Sequence, residues 1–217
     1  MRRTMFSCLA FCLAAVSAAC SGPVSTYRFR LHVEVETPEG TKAGSSVIEV
    51  AWWTEKVVGH GELGKDSVTG DAVFVDLGDA KNVVALLGMG RTGNEHGISQ
   101  MPIKAFGYRG GDESWRAMET QAGSADLTLD NMPTLVTFRD LKDTGSVEVV
   151  NPRDLAEAFG PGYSLGRVWI ETTTDPVVQT IEQKLPWLPA LIEKQKTSPV
   201  DIRVNGHYLE LFRRSST

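Results

Sequence analysis

No disulfide framework can be drawn for this chain. Its 217 residues include three cysteines, Cys8, Cys12 and Cys20, and the first two fall in a stretch expected to be removed. One thiol is then left without an internal partner. Long apolar runs are missing as well. The uncharged stretch 5–16 is about 12 residues, well short of the ~20 needed to cross ~30 Å of hydrocarbon at 1.5 Å per residue. No later segment approaches 18 consecutive apolar residues, so the sequence offers no helical membrane span. Metal-ligand spacing is absent too: His32, His60, His96 and His207 form no H-E-x-x-H or other close pair. There is no G-x-S-x-G elbow and no second cysteine for a Cys-His nucleophile. No metal and no cofactor is therefore expected. Carboxylate-pair hydrolysis stays open, because Asp and Glu are scattered through the chain and the sequence does not set their separation.

Positive charge is scarce in the part that remains. The 22 basic residues less Arg2 and Arg3, set against 27 acidic ones, give a formal charge of −7. A body of that sign repels nucleic acid and anionic headgroups, and its basic residues are dispersed apart from Arg213 and Arg214. Neither nucleic acid nor nucleotide is expected as a partner.

What is present begins at the N-terminus. Arg2 and Arg3 open the chain, 5–16 is rich in Leu, Ala, Phe, Val and Cys, and Ser17, Ala18 and Ala19 supply small residues before Cys20. That is the layout of a secretory signal peptide. Two processing routes follow from it. Small residues before a cysteine resemble the lipobox of bacterial lipoprotein precursors, although Ser17 stands where that family usually carries Leu and Val16 lies one step further away. The resemblance implies acylation of Cys20 and attachment to a membrane, since several chains together hold a protein where one binds only marginally. Ordinary cleavage after Ala18 or Ala19 obeys the same small-residue rule and gives a soluble periplasmic or secreted product. Ser21 stands where an Asp would resemble an inner-membrane retention signal, which points to the outer membrane, facing the periplasm. The expected organisation is a signal over 1–19, a polar linker over 20–26 and a single domain over 27–217.

Tyr27 to Glu36 alternates apolar and polar residues with period two, with Phe29, Leu31, Val33 and Val35 expected to face inward. Pro38 and Gly40 provide turn chemistry before a second strand from Ser45 to Trp53. Ala72 to Leu77 and Val83 to Leu87 flank a turn-rich loop over 78–82 and form another hairpin. Further strands are expected at Leu135 to Leu141 and Leu165 to Thr173, and Asn205-Gly206 marks a hairpin between 201–204 and 207–212. Helices are expected from Asn151 to Phe159, and from Asp175 to Leu185 with Pro186 as its stop. The fold class is α+β: a mainly antiparallel sheet of hairpins with two or three short helices.

Two Gly-rich runs are near-matches to nucleotide motifs. Gly88 to Gly93 fits G-x-G-x-x-G, but Asn94, Glu95, His96 and Gly97 follow it in place of a helix start. Gly59 to Asp66 resembles a phosphate loop with Asp66 where a hydroxyl is required. Both read as loops. The adjacent Trp52 and Trp53 point to opposite faces of a strand, so one of them lies outside a shared core. Pro186 and Pro189 frame Trp187, which is either a core plug or an anchor. Trp53 and Trp187 are the candidate partner surface.

The Tyr27 to Gly40 hairpin, Val73 to Leu77 and the segment from Asp175 to Leu188 together resemble a set of proteobacterial envelope proteins. That resemblance spans most of the mature chain and implies no catalytic residue. The function expected is that of a membrane-anchored envelope lipoprotein with a non-enzymatic binding or structural role, with an envelope protein as candidate partner. The alternative is an exported carboxylate-dependent hydrolase.

Overall fold

The alternation read at Tyr27 does set the architecture. In the computed structural model, which describes residues 24–90, 93 and 97–215, strand β1 (Ser25–Thr37) buries Tyr27, Phe29, Leu31, Val33 and Val35 and turns the residues between them outward. It pairs along its whole length with β2 (Gly40–Val57), Phe29 facing Ile48. The expected signal segment and Cys20 lie outside the described residues, as do Glu95 and His96. β1 begins two residues before the expected domain start: Ser25 is paired with Trp52 and buried, because β2 is long enough to extend the ladder.

β3 (Gly61–Asp71) adds to β2, and β9 (Ser164–Thr172) to the other side of β1. Short β6 (Ser124–Asp126) and β12 (Arg213–Arg214) close a six-stranded sheet of order β12-β3-β2-β1-β9-β6. β4 (Val73–Gly78) leaves β3 through Ala72 and starts a second sheet with β5 (Lys81–Ala85), β7 (Leu135–Phe138) and β8 (Val147–Val149). Every strand pairing is antiparallel, including the two-residue hairpin of β10 (Arg203–Val204) and β11 (His207–Tyr208). The chain is α+β with mainly antiparallel sheets and, among the described residues, four short helices.

The inner face of the large sheet packs on the small one, where Phe29, Leu31, Ile48 and Val50 meet Val73, Val75, Val83 and Ala85. The opposite face of the small sheet is covered by the C-terminal layer: Val84, Val136 and Phe138 meet Ile181, Leu185, Leu211 and Phe212. The small sheet is therefore buried on both sides. Asn82 is buried within it, and its amide donates to the Phe138 carbonyl at 2.8 Å and accepts from the Phe138 N–H at 3.0 Å. That exchange extends the β5–β7 ladder past its last backbone pair.

Several sequence expectations shift. The 78–82 loop tightens to a two-residue turn with Asp79 and Ala80 at positive φ, and Lys81 and Asn82 belong to β5. The Asn205-Gly206 turn forms as expected, with φ of 45° and 90°. The helix expected from Asn151 shrinks to α3 (Ala156–Phe159), because Asn151 caps only the turn at Arg153 while the Asp154 side chain takes the Glu157 N–H. The helix expected from Asp175 to Leu185 does not form. Residues 173–180 form neither helix nor strand and run as a strap, followed by a single turn at Ile181–Gln183, and α4 (Leu188–Thr197) begins only after Pro186. Tertiary partners take the groups a helix would use: Asp71 accepts the N–H groups of Thr180 and Ile181 at 2.6 and 2.9 Å, and Arg30 holds Asp175. Helices α1 (Met101–Ala105) and α2 (Asp112–Met118) and strands β3, β6 and β8 had no clear signal in the sequence.

Candidate functional site

The strap crosses the outer face of the large sheet and roofs a cleft. It leaves β9 with the Thr173 N–H on the Arg28 carbonyl, passes Arg30, and reaches Gly70, whose carbonyl accepts from the Gln179 amide. Beneath it lies a cavity of about 480 Å³, lined by Arg30, Ser45, Val47, Ala72, Phe74 and Lys184 among others. Ahead of Glu49, no strand pairs with β2 on its β3 side among the described residues, so the cleft opens on a strand edge.

Two guanidinium groups organise its ends. Arg30 Nη2 donates to Asp175 Oδ2 at 2.5 Å, and that bond, with a further one from Thr173, holds the Asp175 carboxyl below the usual carboxylate range. Asp71 is buried and accepts four hydrogen bonds: one from the strap backbone at Thr180, one from Ile181 in the turn that follows, and two from Arg213 at 2.7 and 3.2 Å. Burial would lower the Arg213 pKa, but Asp71 and Glu182 beside it outweigh that and push it up. Asp71 is the one buried carboxylate among the described residues, and its lone pairs are occupied. The two carboxylates lining the cleft are thus spoken for by two arginines, which is the chemistry of a clasp and not of a proton-transfer pair.

The outer face of the large sheet also carries an aromatic stack. His32 and Trp169, cross-strand neighbours, lie parallel at 4.4 Å, with the Arg167 guanidinium 4.5 Å from the indole centroid. Burial and the Arg30 charge push the His32 pKa down, and Glu171, 3.7 Å away, is too far to accept a hydrogen bond and too weak to reverse this.

The sequence candidates separate. Trp52 is buried and stacks on Trp115 at 5.9 Å, while Trp53 is on the opposite face and half-buried. Trp187 is also half-buried. Its ring packs against Phe138 and Phe212, and its N–H reaches the Leu141 carbonyl at 3.0 Å, so the core takes most of what it offers. Trp53 and Trp187 belong to different faces and do not converge. Gly61 to Asp66 lie in β3, their backbone committed to β2, which leaves no phosphate cradle there. A Cβ on Gly88 would collide with the Gly93 carbonyl, so those glycines serve a tight turn. Among the described residues, no group of three or more His, Cys, Asp or Glu is set to hold a metal ion. Asp71, Arg213 and Arg30 escaped the sequence reading. Their partners are up to 145 residues away, and no local pattern signals such pairs.

Compared with family models, with curated proteins and with solved structures, the chain matches none.

Proposed function

We propose that this protein is an envelope lipoprotein, held on the outer membrane by acyl chains on Cys20, facing the periplasm, with a non-enzymatic binding or structural role. The observation that carries the reading is the junction of signal and body. The basic start, the short apolar core and the small residues end at Cys20, and the first strand begins only five residues later, at Ser25. A chain so built places a folded acidic body directly against whatever surface holds its first residue. The cleft under the strap is the binding surface this reading offers, to a segment of an envelope protein laid along the open β2 edge. Support for a non-enzymatic role comes from its carboxylates, which are committed to Arg30 and Arg213.

The test is fractionation. The wild-type chain is expected to sediment with membranes and to leave them only in detergent, and Cys20→Ala to appear in the soluble fraction or stall as precursor. A Cys20→Ala chain that is processed and sediments as before would refute the anchor.

A further inference from the structure

The β2–β3 hairpin outruns the rest of the large sheet. β1 pairing ends at Ser25 opposite Trp52, so beyond that point residues 53–65 pair only with one another. At ~3.3 Å per residue, the five steps from Trp53 to Val58 project ~17 Å past the start of β1. The same end of the sheet carries the chain's N-terminal approach, because β1 starts there. From Val24 back to Cys20 is four residues, a reach of at most ~14 Å.

The outward face of the hairpin is mixed, with Lys65 beside Trp53 and Glu55 beside Leu63, and it turns apolar only toward the tip. Trp53 is opposite Lys65, Glu55 opposite Leu63 and Val57 opposite Gly61, so the apolar residues nearest the tip on this side are Leu63 and Val57. Val58 at the tip is 100% exposed, Leu63 42% and Val24 58%. Three of the seven large apolar residues left exposed in the described chain thus gather at the end nearest Cys20. The hairpin's charges, Glu55 and Glu62 against Lys56 and Lys65, balance, so nothing there selects an anionic partner.

We infer that the tip of the β2–β3 hairpin is a second membrane contact, with Val57 and Val58 seated at the boundary of headgroups and acyl chains, and Leu63 at headgroup level, in the bilayer that Cys20 anchors. The inference rests on the anchor at Cys20. The matching reaches of hairpin and tether place tip and lipid at one level when the strands stand along the membrane normal. Two contacts would fix the body's orientation and hold the cleft at a set height above the surface.

The experiment uses the full acylated chain carrying Val58→Cys or, as a control at the opposite end of the sheet, Glu39→Cys. Each is labelled with an environment-sensitive fluorophore and reconstituted in phosphatidylcholine vesicles with brominated acyl chains. The label at 58 is expected to be quenched at least about twofold, the label at 39 to be unaffected, and Leu63→Asp to reduce the quenching at 58. Vesicle-bound protein with both labels unquenched overturns the inference while leaving the anchor intact. A label at 58 shielded from aqueous iodide yet not quenched by lipid also overturns it, in favour of a second copy of the chain covering the hairpin. A chain of unmodified mass that stays in the supernatant overturns the anchor reading and takes the inference with it.

Discussion

The two sheets of this protein solve the burial problem differently. The large sheet is covered on one side, so β1 alternates strictly, Phe29, Leu31, Val33 and Val35 inside and Arg30, His32 and Glu34 outside. The small sheet is covered on both sides, and its central strands β5 and β7 are buried without alternation: Val83, Val84, Ala85, Leu86 and Leu87 are all buried, as are Leu135 through Phe138, while the edge strand β4 still alternates. A short unbroken apolar run in an antiparallel protein therefore marks a strand with layers above and below it. The difference also divides the molecule's work. The doubly covered sheet holds the layers together, and the singly covered one has a face free for the strap, the cleft and the aromatic stack.

The largest effect is expected where both layers meet. Phe138→Ala removes a fully buried ring that touches Trp187 and Phe212, and is expected to cost about 3–5 kcal/mol in denaturant unfolding. Asp71→Ala strips four hydrogen bonds and leaves Arg213 with Glu182 alone, an expected loss of about 3 kcal/mol. Amide exchange at Thr180 and Ile181 should accelerate in that variant before the β1–β2 ladder loosens. Uniform loosening would mean that the C-terminal layer and the large sheet are one cooperative unit.

On the inner face of the large sheet, Tyr27 donates to the Ser99 carbonyl at 2.5 Å, and burial pushes its phenol well above the usual range. Tyr27→Phe leaves that carbonyl unpaired and is expected to cost about 1–2 kcal/mol. On the outer face, Trp169→Ala should cost about 1 kcal/mol or less, since it loses a stack open to solvent. An outer-face loss as large as that of Phe138→Ala would mean that a further layer covers this face in solution.

The smallest expected effect is a pH slope. His32 has its folded pKa below an unfolded value of about 6.5, so the unfolded state binds more protons in between. Its contribution is fully present above the unfolded pKa, and it is lost as pH falls from about 6.5 to the folded value. The ring is partly solvated, so the change is held to a few tenths of a kcal/mol, about one degree or two in Tm between pH 7 and 5. Comparing wild type with His32→Gln isolates it: the variant should lose that part of the slope, and identical slopes would remove His32 as its source.

Legibility followed the same division. β1, β2, β7, β9 and the Asn205-Gly206 turn were readable because period, β-branched content or turn chemistry is local. β3 was not: Gly-Glu-Leu-Gly-Lys-Asp carries no strand pattern and is extended because β2 gives it a ladder. The helix expected at Asp175 has sound local signals in Asp175-Pro176, Val177 and Ile181, yet Asp71 and Arg30 bind its backbone and cap residue from more than 100 positions away. The cleft shares that fate, since the strap that roofs it exists only through those contacts. Exposed Val58 and Leu63 gave no signal either, because only pairing shows that they share an end with the start of β1.

Whether Cys20 joins this body to a membrane is decided by intact-mass analysis of the protein extracted from the membrane fraction. The predicted species begins at Cys20 and carries the added mass of its acyl chains. An unmodified chain beginning at Ala19 or Cys20 would contradict the anchor and leave a soluble periplasmic or secreted protein.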